Sequence, residues 1–87
     1  MEVGEDIVHK IGRKIKADAN YYEKKAEKIV FFSYYYEDFE MLEIDRKTFN
    51  DLMGYLPNFK FKNSLVVLSV SFDKRTKQYE VMVQKTV

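Results

Sequence analysis

The chain of 87 residues contains no cysteine. That removes disulfides, thiolate chemistry and cysteine-ligated zinc together. It has no tryptophan, one proline, three glycines and one histidine. With so little Gly and Pro there is no flexible linker and no glycine-rich phosphate loop. With one histidine, a Ser-His-Asp set could be built only around His9. No apolar run approaches the roughly 18 residues of a membrane span, and no basic-then-apolar leader opens the sequence. The expectation is one small domain over residues 1–87, cytoplasmic, with no membrane, cofactor or metal.

What is present is a globular composition, 46% hydrophobic and 33% charged, at the small end for a self-sufficient core. Lysine outnumbers arginine twelve to three. That balance fits an AT-rich coding sequence, of the kind found in phages, mobile elements and low-GC bacteria. The net charge of +1 hides alternating blocks. Residues 1–6 carry −3, residues 7–28 carry +4, residues 37–51 carry −4 and residues 52–87 carry +4. Blocks of this kind favour oriented docking more than the total suggests.

Residues 5–28 read as one amphipathic helix, with Val8, Ile11, Ile15, Ala19, Tyr22, Ala26 and Ile29 at three- and four-residue steps. Glu5 and Asp6 suit its amino end, and Lys24, Lys25 and Lys28 its carboxyl end. Gly12, Ala19 and Ala26 form a small-residue track, which predicts close packing of this helix on a sheet. Asp18 and Lys25 disfavour a coiled-coil dimer seam there, although self-association as a homodimer stays open. Residues 29–36 have strand character, and a turn at Glu37–Asp38 leads to a second predicted strand, Phe39–Ile44. Asp45 predicts an N-cap for a short helix over Arg46–Met53, with Gly54 as its C′ residue. "NFKFKN" is a connector or short edge strand. Residues 64–72 and 78–85 are two strands joined by "DKRTK". The expected fold is therefore α+β in two layers: an antiparallel four-stranded sheet with helices on one face, in the order α-β-β-α-β-β.

Side-chain alternation then assigns faces. Phe32, Val66, Leu68, Val70, Val81 and Val83 are expected in the core with Ile11, Ile15, Tyr22, Phe49 and Leu52. Phe31 and Tyr35 are expected on an uncovered face among Ser33, Ser69, Ser71, Met82 and Gln84.

Catalysis is poorly supplied. His9 falls on the polar side of the first helix, where a lone histidine is a solvated residue rather than a base. Metal-free RNA cleavage by Lys, Arg and Tyr is the one enzymatic route left. The acids Glu37, Asp38, Glu40 and Glu43 lack the spacing of a cation-binding loop and read as a solvated edge. The basic surface is more informative. Lys10, Arg13, Lys24 and Lys28 form a stripe opposite the apolar helix face, and Lys74, Arg75 and Lys77 crowd the last hairpin. Cations for phosphates and the rings of Phe31 and Tyr35 for bases make up the chemistry of RNA binding. The expected function is a non-catalytic module that docks RNA or another polyanion. The alternative is a small phage- or plasmid-type inhibitor, antitoxin-like, that blocks a larger host protein through its aromatic and acidic strands.

Overall fold

A computed structural model of the protein describes residues 3–21 and 28–84. The first helix, α1, spans Val3–Tyr21. Val8, Ile11, Ile15 and Ala19 fall along one stripe and are all buried, so the three- and four-residue periodicity states the packing face correctly. The small-residue track has a more specific cause than packing on a sheet. A Cβ on Gly12 would lie 2.4 Å from a ring carbon of Phe61. Only a residue without a side chain lets that ring, in the connector over residues 59–65, seat against the helix.

Tyr22, Lys24, Lys25 and Ala26 lie outside the described residues. Lys28 does not extend the helical stripe; it stands exposed just ahead of the first strand, β1, at Ile29–Tyr35. The predicted second strand is absent. Residues Tyr36–Leu42 form a 3-10 segment instead, bent at Phe39 (φ −114°, ψ 21°). Side chains three apart eclipse in such a segment. Tyr36, Phe39 and Leu42, at that spacing, turn inward: Phe39 is buried, and the other two pack against the core. Asp38 closes the start of the segment, its carboxylate accepting from the Tyr35 amide at 2.7 Å.

The second helix, α2, runs Arg46–Tyr55, with Asp45 as its N-cap accepting from the Thr48 amide at 3.0 Å and from the Thr48 hydroxyl at 2.7 Å. Gly54 is not its C′ residue. No glycine has positive φ, and the helix continues through Gly54 into a 3-10 turn at Leu56–Asn58. Pro57 enters that turn where its missing N–H leaves nothing unpaired. Strands β2 (Val66–Asp73) and β3 (Gln78–Gln84) are the last of the described elements.

Among the described residues the sheet therefore has three antiparallel strands, not four, in the order β1-β3-β2. The last strand lies in the middle and pairs with both others. Its alternation reads as expected: Tyr79, Val81 and Val83 are buried. On β2 the expected face assignment fails in its first half. Val67 pairs with Val83 and Ser69 with Met82, so Leu68 is an extra residue between them. This bulge reverses which residues face inward. Leu65 and Val67 are buried, whereas Val66 and Leu68 are 38% and 39% exposed. Beyond the bulge, Val70 and Phe72 return to the inner side opposite Val81 and Tyr79.

Both helices and the 3-10 segment cover one face of the sheet, and their buried residues form a single cluster with Tyr34, Val67, Tyr79, Val81 and Val83. Two phenols fasten the layers. Tyr34 donates to Asp18 on α1 at 2.6 Å, and Tyr79 donates to Asn50 on α2 at 3.0 Å. Among the described residues no helix is long and apolar enough to cross a membrane.

Candidate nucleic-acid interface

The strand registers place four rows of side chains across the other face of the sheet. They read Ile29–Gln84–Val66, Phe31–Met82–Ser69, Ser33–Glu80–Ser71 and Tyr35–Gln78–Asp73. No described element covers them: Phe31 is 65% exposed and Tyr35 is 45% exposed. Alternation along β1 requires this, because Phe32 and Tyr34 face the helices. At about 3.3 Å per strand residue, the two outward rings stand roughly 13 Å apart. Between them lies a polar row in which the Ser33 hydroxyl donates to Glu80 at 3.0 Å. The face is thus apolar at the Ile29 end, polar in the middle and aromatic at the Tyr35 end.

Cations flank it at both ends. Lys28 precedes the first row, and Lys74, Arg75 and Lys77 lie beyond the last, all exposed. The hairpin tip is shaped by Asp73. Its carboxylate accepts from the amides of Arg75 at 2.8 Å and Thr76 at 3.4 Å, and its carbonyl accepts from the Lys77 amide at 2.7 Å. Lys77 closes the turn in a left-handed conformation (φ 65°).

The helix stripe is not part of this surface. Lys10 and Arg13 are exposed on α1, on the side of the helix opposite Ile11 and Ile15 at 100° per residue. Since Ile11 and Ile15 point at the sheet, these two cations point away from it and from the aromatic face. Lys24 lies outside the described residues. Of the expected site residues, the fold brings together Phe31, Tyr35, Lys28, Lys74, Arg75 and Lys77, and it separates Lys10 and Arg13 from them. Lys14, on the flank, is drawn inward over the rings of Tyr34 and Phe39, at 6.0 and 5.8 Å.

His9 is half-buried rather than solvated, edge-on to Phe59 at 5.0 Å and to Phe61 at 6.3 Å. The acidic residues are largely engaged in local structure. Glu37 pairs with Arg46 at 2.8 Å. Its own backbone N–H first, and then the Arg46 guanidinium, hold its carboxyl below the usual glutamate range. Asp38 and Asp45 are capping residues. Bonds from the Thr48 hydroxyl and amide lower the Asp45 pKa in the same sense.

Sequence reasoning missed Val66 on the open face, where Ile29 lies in the row expected for it with Phe31, Ser33 and Tyr35. In "LVVLSV" both alternating rows are apolar, so alternation alone could not choose between them, and no glycine marks the bulge. No family model, no curated protein and no solved structure matches this chain.

Proposed function

We propose that the protein is a non-catalytic binding module that docks single-stranded RNA across its uncovered sheet face and hairpin tip. One observation carries the reading: Phe31 and Tyr35 project from a face that no described element covers, with Lys28 at one end and Lys74, Arg75 and Lys77 at the other. Exposed rings stack on bases of any sequence, and cations follow the phosphates. The serines, Gln78 and Gln84 supply donors and acceptors for base edges, and Glu80 can accept from an exocyclic amino group. Lys10 and Arg13 lie outside this footprint.

The experiment is a titration of protein into a labelled oligoribonucleotide at two salt concentrations. Tyr35→Ala should weaken binding by about 1–3 kcal/mol and leave the salt slope unchanged, because stacking releases no counterions. Reversing Lys74 and Arg75 to Glu should weaken binding and lower the slope by about 0.7 for each phosphate no longer neutralised. Reversing Lys10 and Arg13 should do neither. Absence of association at about 50 mM salt, where phosphate contacts are strong, would remove the RNA reading. Loss of biological activity on charge reversal at Glu40 and Glu43, with Tyr35→Ala silent, would instead assign the surface to a protein partner.

A further inference from the structure

A second surface lies on the other side of the same hairpin. Where the start of α2 meets the ends of β2 and β3 there is a cleft of about 360 Å³, at the small end of the roughly 300–1,000 Å³ usual for small-molecule sites. Arg46, Lys47 and Lys77 line it, and no carboxylate does. The remaining wall is aromatic and amide. Phe72 is 41% exposed there, with its ring 4.7 Å from that of Tyr79. Asn50 accepts from the Tyr79 hydroxyl through Oδ1, which leaves its amide nitrogen free to act as a donor.

Arg46 is the positioned cation of the three; Lys47 is exposed and pairs with Asp51 at 3.5 Å, and Lys77 is exposed. The Arg46 guanidinium lies 4.5 Å from the centre of the Tyr36 ring, and one of its nitrogens holds Glu37 at 2.8 Å. A guanidinium has five N–H donors, so this pairing fixes its plane and leaves donors for a ligand. Burial pushes the Tyr79 phenol above its ordinary pKa, against a smaller opposing effect of Arg46. The hydrogen bond from this phenol keeps Asn50 oriented. The Thr48 amide at the start of α2 does not enter into this site, since Asp45 already caps it.

Three cations facing an exposed flat ring call for a ligand that is anionic at one end and planar at the other. We infer that the cleft between α2 and the β2–β3 hairpin binds a nucleoside 5′-monophosphate, with its phosphate on Arg46, Lys47 and Lys77 and its base against Phe72. The ligand can be a free nucleotide or the phosphorylated 5′ end of a strand. The site does not depend on the sheet-face reading and shares only Lys77 with it.

The test is an NMR titration of the isotope-labelled full chain with 5′-AMP, adenosine and inorganic phosphate in parallel. 5′-AMP should shift the amides of Lys47, Asn50, Phe72 and Lys77 and bind roughly tenfold more tightly than inorganic phosphate, within the range expected for one stacked base. Lys47→Glu, at an exposed position away from the core, should weaken 5′-AMP by a similar factor. Phe72→Ala should reduce 5′-AMP to the level of phosphate; if that variant unfolds, Lys47→Glu decides alone. A 5′-phosphorylated oligoribonucleotide that shifts these amides, where its 5′-hydroxyl counterpart does not, identifies a strand end as a source. Response to 5′-AMP without response to the phosphorylated strand identifies the free nucleotide. The proposal is overturned if 5′-AMP binds no more tightly than phosphate, if it leaves these amides unmoved, or if Lys47→Glu binds it equally well. Tyr35→Ala should leave 5′-AMP binding intact, and Lys47→Glu should leave internal-strand binding intact, so each reading can fail without the other.

Discussion

Replacing Gly12 and Gly54 by alanine, one at a time, should have opposite effects. Both glycines sit inside helices, where Ala is favoured over Gly by about 0.5–1 kcal/mol. Gly54 has no heavy atom within 4 Å of where its Cβ would stand, so Gly54→Ala should gain that amount in full. At Gly12 the new methyl would lie 2.4 and 2.5 Å from two carbons of the Phe61 ring. That ring is 5% exposed and packs edge-on against Phe59 at 4.8 Å, so it has no solvent side to retreat to. Overpacking of this kind costs about 1–3 kcal/mol. The propensity gain is common to both variants, so the difference between them isolates the packing cost. In thermal unfolding, each 1 kcal/mol is about 4–8 °C for a domain of this size. The Gly12→Ala variant should therefore melt several degrees below Gly54→Ala. Shrinking the ring in the same background, with Phe61→Leu, should recover part of the deficit, because the two changes act on one shared packing interface. A Gly12→Ala variant as stable as Gly54→Ala would mean that the connector does not seat on α1.

Two further outcomes follow from the core and the caps. Met53→Ala, at a fully buried site, should cost about 2–5 kcal/mol in urea unfolding, whereas Leu68→Ala, at the exposed bulge, should fall below that range; equal costs would contradict the bulge. Asp45→Ala should destabilise at neutral pH, with Asp45→Asn milder because Asn also caps. The folded state lowers the Asp45 pKa below the ordinary 3.8. Its contribution is thus present above that value and lost as pH falls through the folded-state value. The deficit of Asp45→Ala should shrink in acid unfolding, and a deficit unchanged at low pH would contradict the cap.

The elements that could be read from the sequence are those where one period stands alone. Helix α1 repeats its apolar residues on one stripe and keeps the rest polar. Strand β3 alternates strictly through Tyr79, Val81 and Val83. Asp45 followed by Thr48 is a local signal that needs no tertiary context. Misreading occurred where two periods coexist. "YEDFEML" satisfies a two-residue alternation through Phe39 and Met41, and a three-residue step through Tyr36, Phe39 and Leu42. The buried Phe39 and part-buried Tyr36 and Leu42 show that the second governs. In β2 the apolar run satisfies either parity, and the choice is made by pairing with β3, which the local sequence does not contain. The same distinction divides the surfaces. Phe31 and Tyr35 could be placed outward by parity alone. The separation of Lys10 and Arg13 from them follows from the layering, since the polar side of a helix covering one sheet face points away from the other face. The cleft could not be read, because Arg46, Phe72 and Lys77 meet only through the docking of α2 on the end of the sheet.

Lys77 joins the two proposed surfaces, and its backbone carries a cost at that junction. Its φ of 65° lies in the left-handed region, which disfavours a residue with a Cβ by about 1–2 kcal/mol. Gly, the residue suited to this place in a hairpin, would relieve that cost, offset by about 0.5–1 kcal/mol of greater freedom in the unfolded chain. Lys77→Gly should therefore be neutral to about 1.5 kcal/mol more stable in urea unfolding. If the lysine is retained for its charge, the same variant should bind both ligands less well. Its RNA salt slope should drop by about 0.7, and its affinity for 5′-AMP should fall as in Lys47→Glu. Strain maintained at a binding residue predicts this opposition of stability and affinity. A Lys77→Gly protein that is clearly less stable would show the turn does not need the left-handed conformation. One that binds RNA and 5′-AMP as before would remove Lys77, and with it the link between the sheet face and the cleft.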